Sequence, residues 1–299
     1  MKSFLQLLWR IIIFPFRLVY QIILWPFRMI RKSIDFLNMD VDDRPILDTF
    51  TNLANEEEAR ASFWDHIEEL RMHLLRMIIG LAIGVGISFY FAKPLMEFLA
   101  QPVGGLDKLQ AIQVTEELGV FMRVSLTSGI AMMLPYLAFE VWLFAAPGLK
   151  SREKKNSLFG IPVATLLFLI GITFTYLILI PPALKFLAGF TEIAQDWSAA
   201  EYFGFITGLM LWIGLFFEFP LVIYILTMLG LVRPEILQKQ WRLALVIIAV
   251  MAAAVTPTID PVNMALVMLP MSALYFISIG MSYLAFAARR RNLKAEETV

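Results

Sequence analysis

Cysteine is absent from the chain, and histidine occurs only at His66 and His73. Disulfides, thiolate metal sites and cysteine nucleophiles are therefore excluded, and two histidines leave little for metal ligation or general base catalysis. Neither sign of charge is in excess, because 25 basic side chains balance 25 acidic ones over 299 residues. That balance gives no support for wrapping nucleic acid. A cleavable signal peptide is not expected, since arginines interrupt the apolar N-terminus and no small-residue cleavage site follows it. What the chain has in abundance is apolar surface, with 59% hydrophobic residues and a mean hydropathy of +0.73. A soluble domain of this length could not bury so much, so the excess must face lipid.

Apolar blocks at about 74–92, 119–145, 158–180, 203–229, 243–259 and 262–287 predict an all-α integral membrane protein with six spans. The fifth is short. Its apolar run from Leu243 to Val255 covers about 20 Å at ~1.5 Å per residue, against a hydrocarbon core of ~30 Å. A re-entrant segment competes with the preferred reading, a short hairpin of spans five and six around Thr256, Pro257, Asp260 and Pro261 where the bilayer is locally thinned. Lys and Arg cluster before span one, at Lys150, Arg152, Lys154 and Lys155, at Arg233, Lys239 and Arg242, and at Arg289, Arg290, Arg291 and Lys294. The intervening loops are acidic, so the positive-inside rule puts both termini in the cytoplasm of a multi-pass inner (cytoplasmic) membrane protein.

The organisation expected is a membrane-surface segment at 1–34, a polar linker at 35–62, a six-span core at 63–288 and a basic, then acidic, tail at 289–299. Within the first segment Arg10, Arg17, Gln21, Arg28 and Lys32 fall within roughly 60° of one another at ~100° per residue, opposite a broad apolar face. That pattern predicts an interfacial amphipathic helix, kinked or cut at Pro15 and Pro26. A seventh span is the alternative, at a penalty of ~2.5 to 3.5 kcal/mol for each arginine near the bilayer centre.

Glu218 is the most informative residue, because it sits near the middle of span four with no lysine or arginine in the same span. Ionised carboxylate in hydrocarbon is so unfavourable that the group must be protonated, hydrogen-bonded or facing a wet cavity; it marks either a pathway or binding site or a bond to a neighbouring helix. Glu140 lies a few residues inside the next basic stretch, where snorkelling, structural bonding and function all remain open. Pro135 and Pro147 bracket it, and proline bends a span into a fixed shape. Glu69 precedes span one and Glu153 follows span two; spacing alone reads both as solvated charges. Gly80 to Gly84 and Gly204 to Gly208 are GxxxG patterns, weak signals for close helix packing. His66 and His73 share a helix face but have no third ligand nearby, so they are read as surface or interface residues and no metal site is expected. No catalytic constellation is visible, since no histidine falls inside an apolar block and no G-x-S-x-G occurs.

Taken in order, His66-Ile67-Glu68-Glu69-Leu70-Arg71, Gln101-Pro102, Pro135 with Trp142, Phe144, Pro147, Gly148 and Leu149, then Glu153, Phe217-Glu218-Phe219-Pro220 and Thr256-Pro257 with Asp260, Pro261 and Pro270 resemble the TatC family. This family forms the multispanning core of the twin-arginine protein translocase, and the resemblance covers about residues 63–288. It implies a curved helical bundle, not an enzyme and without cofactors, that receives the twin-arginine signal peptides of folded cargo. The receptor would then assemble, with homo-oligomers in the complex, with single-span TatA- and TatB-type subunits, and transport would be driven by the proton-motive force. Glu69 and Glu153 then contact the paired arginines, with Arg71 and Phe144 in the same signal-peptide site. A guanidinium suits that role because its bidentate, charge-assisted bonds to carboxylate cannot be reproduced by lysine. Glu218, with Glu140, is assigned to an intramembrane polar site for partner helices, while Pro102, Pro135 and Asp260 shape loops and spans. Asn263 and Met264 stand where many relatives carry glutamine after the hairpin aspartate, so no partner contact is assigned there. The competing class is a proton-coupled small-solute transporter using Glu218; a scaffold indifferent to arginine is the third.

Overall fold

The computed structural model describes residues 57–146, 157–189, 197–256 and 260–296. The amphipathic segment expected at 1–34 and most of the linker at 35–62 lie outside the described residues, as do Glu153, Pro147 and residues 257–259 of the expected hairpin. Residues Trp64–Phe144 and Phe159–Val299 form one compact unit.

Among the described residues, five helical stretches are long and apolar enough to cross a membrane: Ile67–Val103, Glu116–Ala145, Gly160–Gly189, Ala199–Leu229 and Pro261–Arg290. A sixth apolar helix, Trp241–Val255, has only 15 residues, about 22 Å at ~1.5 Å per residue. In chain order the helices are α1 Glu57–Leu99, α2 Glu116–Ala145, α3 Gly160–Phe174, α4 Ile180–Gly189, α5 Ala199–Phe217, α6 Phe219–Leu229, α7 Pro234–Lys239, α8 Trp241–Val255 and α9 Pro261–Glu296. Two boundaries differ from the sequence reading. α1 begins at Glu57, inside the segment read as linker, and α9 runs on through the basic stretch to Glu296.

Two of the spans break beside prolines. A π-helical turn, Thr175–Leu179, joins α3 to α4 just before Pro181 and Pro182. Neither proline has an N–H to donate, so the ladder widens there instead of closing on the carbonyls one turn back. Between α5 and α6, next to Pro220, the helix breaks in a tighter turn in which Glu218 N bonds the Leu215 carbonyl at 3.1 Å, and Glu218 occupies the junction. The break therefore places a carboxylate beside backbone that is already under-bonded.

α1 and α2 form an antiparallel pair whose contacts run in register. The Phe89 and Phe121 rings stack with centroids 5.5 Å apart. Further along, a Cβ added at Gly129 would come within 2.8 Å of the Val85 nitrogen, and one at Gly80 would run into the Tyr136 ring. The first GxxxG pattern thus lets α2 approach α1; in the second, Gly204 accommodates the Arg123 guanidinium while Gly208 faces open space. The core lies where α1, α2, α4 and α5 converge, around Leu99, Val124, Ile180, Phe203 and Ile206. A buried hydroxyl ties it to backbone, Tyr202 donating to the Leu99 carbonyl at 2.8 Å; elsewhere the Thr227 and Ser282 hydroxyls bond each other at 2.7 Å between α6 and α9.

A short parallel pair, β1 Leu109–Gln110 with β2 Trp197–Ser198, was not anticipated from the sequence. Beside it Glu116, at the start of α2, accepts from Ile112 N, Gln113 N, Ser198 Oγ and Ala200 N at 2.7 to 3.1 Å. One carboxylate thereby satisfies donors from two helix starts at once. Glu116→Ala should loosen both loops together, read as faster limited proteolysis between α1 and α2 and before α5; unchanged cleavage would show the carboxylate to be dispensable.

Candidate functional site

The polar residues of the unit fall into separate groups. At the end of the α1–α2 pair opposite Glu116, Glu140 is fully buried on α2. Its Oε2 lies 2.6 Å from His73 Nδ1 on α1, and its Oε1 accepts from the Tyr136 hydroxyl at 2.7 Å. Arg76 Nη1 stands 4.0 Å from Oε2. A carboxylate without exposure needs such partners, because an unpaired buried charge is strongly unfavourable. The His73 ring meets Phe144 edge to face, with centroids 6.2 Å apart.

One turn before His73, Glu69 is exposed, as a charge that meets a soluble ligand must be. Arg71 is held by both oxygens of Glu68, at 3.1 and 3.2 Å across one turn. This exposed pair contributes little to stability.

Glu218 belongs to a different region. Its Oε1 is buried without a hydrogen-bond partner among the described residues, while the residue as a whole is half-buried. Around this junction Gly171 and Gly214 bring α3 and α5 into close approach, and Phe174 packs on Phe217 with centroids 5.6 Å apart. Glu140 and Glu218, grouped in the sequence reading as one polar site, thus occupy separate helix contacts. Both oxygens of Glu140 are engaged by α1 and α2, whereas Glu218 retains an open acceptor.

Asp260 caps α9, accepting from the Asn263 backbone N at 2.7 Å and from its side-chain amide at 3.0 Å. Asn263 Oδ1 is left buried without a partner among the described residues. Pro102 sits in a short 3-10 turn, Gln101–Val103, and Pro135 lies inside α2. The sequence reading missed Tyr136, Arg76 and the pairing of His73 with Glu140. The signal available for the last was their position, each one helical turn inside a residue already singled out, Glu69 and Phe144.

This arrangement of helices has close counterparts. A family model described as Sec-independent protein translocase protein (TatC) matches residues 65–270. The chain belongs to the TatC family. It is 34% identical to the TatC protein of Deinococcus radiodurans over 238 residues, covering 77% of this chain and 88% of that one. To TatCy of Bacillus subtilis it is 33% identical over 242 residues, covering 80% and 95%. A crystal structure of the twin-arginine translocase receptor TatC superposes with a TM-score of 0.67 at 36% identity, covering 74% of this chain and 99% of that one. As a TatC protein, the chain is a component of a membrane protein translocase and not an enzyme. Its apolar helices and bacterial relatives place it in the membrane as a multi-pass protein.

Proposed function

We propose that the chain is the receptor subunit of a twin-arginine translocase, binding paired-arginine signal peptides through Glu69 and Glu153 with Phe144 and Arg71 contributing. The observation that carries this reading is the likeness, at 36% identity over 74% of the chain, to a solved structure whose protein is called a twin-arginine translocase receptor. The exposure of Glu69 supports it. In this reading six spans, counting short α8, leave both termini in the cytoplasm, and segment 1–34 lies along the inner leaflet. Replacing Phe144 with a photo-crosslinking phenylalanine analogue tests the site: it should capture an Arg-Arg signal peptide and not its Lys-Lys counterpart. Equal capture of both, or of neither, would remove the proposed site.

Glu218 serves as the docking point for the single helix of a TatA- or TatB-type partner, because an open acceptor in hydrocarbon is best satisfied by a polar residue of another helix. Glu218→Ala should lower co-purification of such a partner severalfold and leave Arg-Arg peptide affinity unchanged. Loss of peptide binding with partner association intact would reverse that assignment.

A further inference from the structure

We infer that His73 and Glu140 are positioning residues of the signal-peptide site, setting the register of α1 on α2 so that Glu69 and Phe144 are presented on adjoining faces; this rests on the receptor reading above. The contacts of the pair follow one antiparallel register, through Phe89 and Phe121, Val85 and Gly129, Gly80 and Tyr136, and finally His73 and Glu140. Four residues further along each helix, away from the apolar stretch, the same register brings up Glu69 on α1 and Phe144 on α2. One turn of about 5.4 Å separates the buried rung from the two residues assigned to the ligand.

The rung is well suited to fixing that register. Glu140 has no exposure and His73 only 14%, so a slip of one helical turn between the helices would leave the carboxylate buried without its imidazole, bonded only to the Tyr136 hydroxyl of its own helix. Such a slip is strongly disfavoured, whereas purely apolar contacts between these helices would tolerate it far better. Arg76 adds positive charge at 4.0 Å, and with both its oxygens engaged Glu140 is not an acceptor for the arginines of a cargo peptide. The His73 ring edge against Phe144 carries the same constraint directly to one of the presented side chains.

The test is a double-mutant cycle on the full chain in detergent, read by binding of dye-labelled synthetic Arg-Arg and Lys-Lys signal peptides. Glu140→Ala and Phe144→Ala should each weaken the Arg-Arg peptide about tenfold, and together little more than either alone, because residues that act as a unit are non-additive. Glu140→Gln, which keeps an acceptor for the rung, should stay within about threefold of the parent. As the chain has no cysteine, spin labels at exposed Met72 and Val141 report the α1–α2 distance without ligand; its distribution should broaden in Glu140→Ala and not in Glu140→Gln. Should Glu140→Ala fail to fold, the apolar pair His73→Leu with Glu140→Leu takes its place, expected to fold and yet to lose the Arg-Arg preference. Multiplicative losses in the cycle, or a normal preference in the apolar pair, would overturn the positioning role while leaving the receptor reading intact. No preference in the parent chain would remove both.

Discussion

Glu69→Ala is expected to weaken binding of an Arg-Arg signal peptide by roughly tenfold to a hundredfold and to leave the Lys-Lys peptide much less affected. A hydrogen bond to a charged partner is worth about 1.5–3 kcal/mol, and the bidentate geometry of guanidinium on carboxylate lies toward the upper end. Lysine offers a point charge that water and salt screen more readily, so less is lost when the carboxylate goes. Glu69 is exposed at the start of the α1–α2 pair, and a solvent-exposed carboxylate contributes little to stability. The change should therefore appear in affinity with the thermal midpoint unchanged. Equal losses for both peptides would mean that Glu69 supplies only general negative charge.

Gly129→Ala is expected to destabilise the unit by about 1–3 kcal/mol, as overpacking typically does. The added Cβ would lie 2.8 Å from the Val85 nitrogen and 2.9 Å from its Cα. Both are backbone atoms, so no side-chain rotation relieves the contact and α1 must move away from α2. At ~2–4 °C per kcal/mol for a protein of this size, the thermal midpoint in detergent should fall by several degrees. Gly86→Ala is the matched control on α1: nothing lies within 4 Å of its added Cβ, and alanine favours helix over glycine. A neutral Gly129→Ala beside a destabilising Gly86→Ala would contradict the packing of the α1–α2 pair.

Those two residues also show what a sequence can convey. Long apolar blocks separated by charge announced the spans, because hydrocarbon thickness imposes a length that can be counted along the chain. The brevity of Trp241–Val255 was legible for the same reason. Glu218 stood out because an in-span carboxylate is rare, yet only the fold reveals that one of its oxygens lacks a partner among the described residues. His73 and Glu140 are 67 residues apart, and nothing in either helix alone specifies which glutamate meets which imidazole. Glu116 reads in the sequence only as one acidic residue of a loop; its reach to Ser198 and Ala200 depends on β1 lying beside β2. Gly80 and Gly84 gave only a statistical hint until Tyr136 and Gly129 were placed against them. Local periodicity thus yields the elements, while the partners across them follow from the fold.

The most direct measurement is equilibrium binding of one fluorescent signal peptide to the purified full-length chain in detergent, in Arg-Arg and Lys-Lys forms at the same ionic strength. The receptor account predicts at least tenfold tighter binding of the Arg-Arg form, equivalent to about 1.4 kcal/mol. Equal affinities for the two forms would contradict it and return Glu218 to consideration as the protonation site of a solute transporter.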